Sequence, residues 1–180
     1  MEQRNLPGCS RGLPDVGMDS GDAALRELYA ATYVRLVSVV GAVAQDRDLA
    51  EEAVQDAFVR LIAKWSTVSR YDDPEAWVRK VALGYLSNRR RKARNGLRAV
   101  LRHGPAPDVP APTGDHVDLR RAIGALPLPQ RQVVVLQRLG LDQAAIADQL
   151  GVPVGTVKSR LSRARATLAP LLREDAPDHV

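Results

Sequence analysis

The sequence predicts an all-α protein: two small helical domains joined by a flexible Pro/Gly-rich linker. Three observations carry that reading. Apolar residues recur at three- and four-residue steps in both halves, and no stretch alternates convincingly as a strand would. Between the halves, residues 95–117 hold Pro105, Pro107, Pro110, Pro112, Gly96, Gly104 and Gly114, the composition of an extended connector. Aromatic residues make up 4% of the chain and apolar ones 45%, so the cores must be built from Leu, Val and Ala. The expected divisions are a disordered tail over 1–21, a first domain over 22–94, the linker over 95–117, a second domain over 118–173 and a short tail over 174–180.

The elements follow in order. From Asp22, the residues Leu25, Leu28, Tyr29, Leu36, Val37, Val40 and Val43 give a first helix one apolar face, which the segment 45–48 interrupts. A second helix turns Leu49, Ala53, Ala57, Phe58, Leu61, Ile62 and Trp65 inward and carries Asp48, Glu51, Glu52 and Asp56 in its early turns. Residues 66–73 read as a loop. Asp73 then caps a third helix, with Pro74 at its first position and Glu75 in its first turn. That helix carries Trp77, Val78, Val81, Ala82, Tyr85 and Leu86 and ends in the basic run 88–94. Trp77 lies on the apolar stripe, which favours a core role over a stacking platform.

In the second half, Leu119, Ile123 and Leu126 make a short helix stopped at 127–129 by two prolines. Residues 130–139 form another, with Val133 to Leu136 as its body and Gly140 as its stop. Two more helices follow over 143–151 and 155–173. Twenty-three linker residues at ~3.3 Å each could span up to about 75 Å, a length suited to domains that grip separate sites.

Charge narrows the function. The formal net charge is +5, which favours a polyanionic partner. Nine Lys or Arg and no acid lie from Arg79 to Arg102, so the first domain pairs an acidic helix with a basic helix end. Cys9 is the single cysteine, which excludes an internal disulfide and a thiolate metal cluster and fits a reducing cytosol. No signal peptide and no membrane insertion are expected, because no apolar run approaches the length of a span. His103, His116 and His179 are scattered without ligand spacing, and there is no P-loop or dinucleotide turn, so neither catalysis, a metal nor a cofactor is expected.

The most specific pattern is a helix-turn-helix over 143–162. Two crossing helices need a small residue where they meet, and Ala147 supplies it. The turn needs tolerance of positive φ, and Gly151 supplies that. Ile146, Leu150, Val157 and Leu161 pin the second helix, whose other face shows Thr156, Lys158, Ser159, Arg160, Ser162, Arg163 and Arg165. No acid occurs between Gln149 and Arg173. Such a face can enter a major groove; the bland alternative is a helical hairpin with a solvated basic side. On helical geometry, Lys158, Ser159 and Arg163 suit base edges, while Arg160 and Arg165 suit phosphates.

The same residues carry a resemblance. Residues 150–168 (LGVPVGTVKSRLSRARATL) resemble the region 4 recognition helix of extracytoplasmic-function sigma factors, and 125–151 resemble what precedes it. Residues 48–65 and 74–92 resemble region 2 of that family. The resemblance covers about 22–172 and implies an alternative sigma factor that directs core RNA polymerase to promoters and opens the DNA there. It implies that Thr156, Lys158, Ser159, Arg160, Arg163 and Arg165 meet the −35 element. It places Arg79, Lys80, Asn88, Arg89, Arg90 and Arg91 on the −10 element and gives the 66–73 loop a flipped base. Glu51, Glu52, Gln55, Asp56, Val59 and Arg60, following Ala50, would dock on the polymerase clamp coiled coil, with the flap as a further contact. An anti-sigma partner and a cytoplasmic location follow from the same resemblance. Read without it, the early acids of the second helix simply favour the helix dipole. Gly84 and Tyr85 depart from the family's polar residue and Asn, and Leu141 and Asp142 from its Ser-Tyr-like start. Two rivals stand beside this reading: a self-sufficient regulator binding a palindrome without polymerase, and an adaptor that binds polymerase alone.

Overall fold

The computed structural model describes residues 20–100 and 121–174; within them every regular element is a helix. The first is α1 (Ser20–Ala44), followed by α2 (Arg47–Val68) and α3 (Pro74–Val100). Residues 121–125 are helical and are labelled α4. Then come α5 (Leu128–Arg138), α6 (Gln143–Leu150) and α7 (Val154–Glu174). Residues 1–19 and 175–180 of the expected tails, 101–117 of the expected linker and 118–120 of the expected second domain lie outside the described residues, whereas Ser20, Gly21 and Glu174, expected in the tails, are helical.

Helices α1 and α2 form a hairpin closed by two residues. Gln45 takes a positive φ of 59° and sends its side-chain amide to the Ala42 carbonyl at 2.7 Å, satisfying an orphan acceptor at the end of α1. Asp46 is extended and caps α2, its Oδ1 accepting from the Leu49 amide at 3.0 Å. The helices approach closely because the facing residues are small: a Cβ added at Gly41 would stand 3.7 Å from the Ala50 Cβ. Leu36, Val37, Val40 and Val43 of α1 close on Ala50, Ala53, Val54, Ala57, Phe58 and Leu61 of α2, and Val78, Ala82, Leu83 and Leu86 of α3 complete this core. Full burial of a Leu such as Leu36 or Leu61 is worth about 1.5–3 kcal/mol. α1 has the length and apolarity of a membrane span, yet its buried residues belong to this core.

Ile62 was placed inward but is 61% exposed, whereas Ala50 and Val54 are fully buried. The core stripe of α2 therefore runs through 50, 54, 57, 58 and 61, about one residue step away from Ile62. Tyr29 is 44% exposed rather than buried. α2 continues to Val68, which leaves only 69–73 as the loop. The start of α3 is as expected, Asp73 Oδ1 accepting from the Ala76 amide at 2.8 Å, but the helix runs on to Val100, into the segment read as linker.

In the second half, Ala122, Leu126, Leu128, Val133, Val135, Leu136, Ile146, Ala147, Val157, Leu161 and Ala164 are buried. α5 starts at Leu128, inside the segment expected to be a break, because Pro127 and Pro129 fall at helix-entry positions where no backbone donor is needed. Gly140, at φ 84°, follows its end. The halves also meet directly: α1 packs on α5 and α3 on α6.

Candidate functional site

The helix-turn-helix is built from its caps inward. Asp142 caps α6, Oδ1 accepting from the Ala145 amide at 2.7 Å, so the departure from a Ser-Tyr-like start leaves a cap of equal chemistry. α6 ends on Gly151 in the left-handed region (φ 62°, ψ 41°), with its amide on the Ala147 and Asp148 carbonyls. The Val152 amide returns to the Ala147 carbonyl at 3.0 Å, completing a Schellman-type closure that turns the chain into α7. Ile146, Ala147, Val157, Leu161 and Ala164 hold the two helices together.

The free side of α7 is basic. Lys158, Ser162, Arg163 and Arg165 are exposed, and no ion pair involves these cations among the described residues. Arg160 is half-buried, and burial holds its guanidinium below the usual arginine range. Ser159 and Thr156 are half-buried too, the Ser159 hydroxyl donating to the Thr156 carbonyl at 3.0 Å. The free cations thus stand around a strip whose serine is tied to its own backbone.

The basic residues of α3 divide into two groups. Asn88, Arg90 and Arg91 are exposed with Arg89 at the far end. Arg89 pairs with Glu52 of α2 at 2.8 Å and contacts the Tyr85 hydroxyl, which also donates to Glu52; the Tyr85 bond and the Glu52 charge raise the Arg89 pKa. Arg79 and Lys80 are engaged by the second half. Arg79 is 12% exposed and donates to the Gln149 Oε1 at 3.1 Å, with Glu75 at 3.8 Å. Lys80 bridges both carboxylate oxygens of Asp148 at 3.2 Å. Glu75 itself accepts a fork from Arg35.

On α2, Glu52, Gln55, Asp56 and Val59 share one face at helical spacing. Glu51 pairs with Arg47 at 2.9 Å and Asp56 with Arg60 at 2.8 Å, while Gln55 donates to the Tyr33 hydroxyl at 3.4 Å. Val59 is 66% exposed. Sequence reasoning missed what lies beside it: Tyr29, Phe58, Val59, Ile62 and Leu25 line an open apolar groove between α1 and α2, with Tyr29 and Phe58 edge to face at 4.8 Å. The signal for it was an apolar stripe on α2 too wide for one core. Tyr71, 47% exposed in the 69–73 loop, was also not singled out.

Residues 28–96 match the family described as sigma-70 region 2, and residues 116–168 match sigma-70, region 4. The extracytoplasmic-function sigma factor SigM of Mycobacterium tuberculosis is 34% identical over 141 residues, spanning 77% of this chain and 70% of the relative. The RNA polymerase sigma-E factor of Streptomyces coelicolor is 31% identical over 124 residues, 66% of this chain and 69% of the relative. Among solved structures, the sigma factor RpoE of Bartonella quintana, in complex with the anti-sigma factor NepR, superposes with a TM-score of 0.67 at 25% identity, covering 84% of this chain and 98% of that one. CnrH, in complex with the cytosolic domain of CnrY, gives 0.55 at 28% identity over 86% and 90% of the two chains. Two sigma-70 regions in the family's order, and a relative this similar over most of both chains, mean that the chain belongs to the sigma-70 family, among its extracytoplasmic-function sigma factors.

Proposed function

We propose that this sigma factor, which directs RNA polymerase to specific promoters, divides that work among three of its surfaces. The exposed face of α7 reads the −35 element: Lys158 and Arg163 meet base edges, Ser159 lies between them, and Arg160 and Arg165 hold phosphates. The basic side of α3, with Arg79, Lys80, Asn88, Arg89, Arg90 and Arg91, holds the opened −10 strand, and Tyr71 in the neighbouring loop offers a ring on which a base can stack. The face of α2 with Glu51, Glu52, Gln55, Asp56, Val59 and Arg60 docks on core polymerase, its acids meeting a basic coiled coil and Val59 adding apolar area. Such a protein initiates transcription rather than catalysing a reaction of its own and works in the cytoplasm. The complexes of its structural relatives support an anti-sigma partner here as well.

The observation that carries this reading is the Gly151 turn that presents the exposed cations Lys158, Arg163 and Arg165 of α7, a helix with no acid from Val154 to Arg173. The test is run-off transcription with core polymerase across a library of −35 variants, together with salt titration of binding. Arg163→Ala should cost about 1–3 kcal/mol and relax preference at one −35 position. Arg165→Ala should weaken all sequences alike and make the salt slope shallower by about one. Altered preference with Arg165→Ala but not with Arg163→Ala would refute the assignment.

A further inference from the structure

A small pocket between α3 and α5 gathers positive charge with no acid to balance it. Arg90 of α3 and Arg131 of α5 line a cavity of about 210 Å³, with Arg89 at its side and Leu49, Leu86 and Leu128 among its walls; no Asp or Glu lines it. Arg89 is already balanced, since it pairs with Glu52. The other two are not. Arg90 is exposed and has no ion pair or hydrogen bond among the described residues. Arg131 is half-buried, and its guanidinium meets only backbone. Its Nη1 donates to the Val43 carbonyl at 2.8 Å, and its Nη2 to the Gly124 and Leu126 carbonyls at 2.7 and 2.9 Å. Carbonyls at helix ends offer partial negative charge but no counter-ion. Burial and then the Arg90 charge lower the Arg131 pKa, so the two cations stand close enough to repel each other.

We propose that this pocket binds a small, multiply charged anion of the phosphate type, held between Arg90 and Arg131. Tying helix ends together accounts for Arg131 alone. It does not account for a second unpaired arginine beside it, because like charges at close range cost free energy unless an anion lies between them. The donors fit a phosphate better than a carboxylate. A single arginine fork satisfies a carboxylate, whereas a tetrahedral phosphate has oxygens for two guanidinium groups approaching from different helices. Arg90, unpaired, offers its whole fork. Both Nη2 hydrogens of Arg131 are taken and its Nε is buried, so Arg131 contributes its remaining Nη1 hydrogen and its charge. The volume falls below the roughly 300–1,000 Å³ of sites for larger ligands, which suits phosphate or pyrophosphate rather than a whole nucleotide. The ligand is a free anion and not a DNA strand; the two uses share Arg90 and the neighbouring Arg89. Since the donors come from α3 and α5, an occupant stabilises the folded chain in step with the logarithm of its concentration.

The test is calorimetric titration of the full chain with inorganic pyrophosphate, at an ionic strength held constant with sodium chloride, alongside thermal unfolding followed by circular dichroism. One saturable site is expected, and an unfolding midpoint that rises with pyrophosphate concentration. Arg90→Ala should weaken the affinity about tenfold, the loss expected for one charge-assisted contact. Lys64→Ala removes the same charge from an exposed position on α2 and should leave the affinity unchanged. Because Arg131 also holds three carbonyls, it is followed without substitution: in an isotope-labelled chain, its side-chain Nε–H resonance should shift as pyrophosphate saturates. Equal weakening by Lys64→Ala and Arg90→Ala would mean general charge attraction and overturn the site. Absence of saturable binding, or saturation that leaves the Arg131 resonance unmoved, would overturn it as well. If random single-stranded DNA binds in a way that needs Arg90 while pyrophosphate does not bind, Arg90 belongs to the strand alone; that result overturns this inference and leaves the −10 assignment standing.

Discussion

Replacing a glycine with alanine should have opposite effects at Gly84 and Gly151, for reasons that the structure separates cleanly. At neither position would the new Cβ come within 4 Å of another atom, so steric clash drops out and only backbone conformation remains. Gly84 lies inside α3, where alanine gains about 1 kcal/mol by intrinsic helix preference. Gly151 sits at φ 62°, where an L-residue is disfavoured by about 1–2 kcal/mol. Reduced freedom of the unfolded chain returns about 0.4–1 kcal/mol of that. The net expectation is a gain near 1 kcal/mol for Gly84→Ala and a loss of about 0.5–1 kcal/mol for Gly151→Ala, a separation of about 1.5–2 kcal/mol. Urea unfolding of the full chain followed by far-UV circular dichroism measures both. Gly151→Ala should in addition lower promoter-dependent transcription, since this turn sets the angle at which α7 leaves α6. Two variants shifting in the same direction would refute the argument that φ alone decides the outcome.

Other perturbations test neighbouring parts of the argument. Asp142→Ala removes the cap of α6 and should cost about 1 kcal/mol in the same unfolding assay. Leu136→Ala empties a fully buried site in the second half and should cost about 2–5 kcal/mol, far more than a change at exposed Val59. Reversing charge at Glu52 and Asp56 together should weaken capture by core polymerase while leaving helical content unchanged, because the pairs they make with Arg89 and Arg60 are partly exposed ion pairs that contribute little to stability; undiminished capture would place the docking surface elsewhere.

Much of this protein is local, and the sequence alone determined that part. Asp73 and Pro74 mark the start of α3 because a cap and a fixed φ act within one turn. Gly151 marks the turn before α7 because only glycine enters the left-handed region without penalty. The apolar period assigned Val40, Leu61, Val78, Val133 and Leu161 to the cores, since each helix needs one buried stripe. The basic face of α7 was legible for a related reason: one stripe packs, and the rest of the helix is left outside.

Tertiary structure decided what depends on which neighbour a helix meets. α2 is apolar over more of its circumference than a single core can cover. Only its packing between α1 and α3 set Ala50 and Val54 inside and Ile62 outside. Nothing in the local spacing pairs Lys80 with Asp148, or Gln132 with Ser87, across 68 and 45 residues. Such contacts arise where two surfaces close on each other, and their partners are set by three-dimensional proximity rather than by helical period. For that reason the charges of Arg79 and Lys80 were readable as a sign, whereas the groups already holding them were visible only in the folded chain.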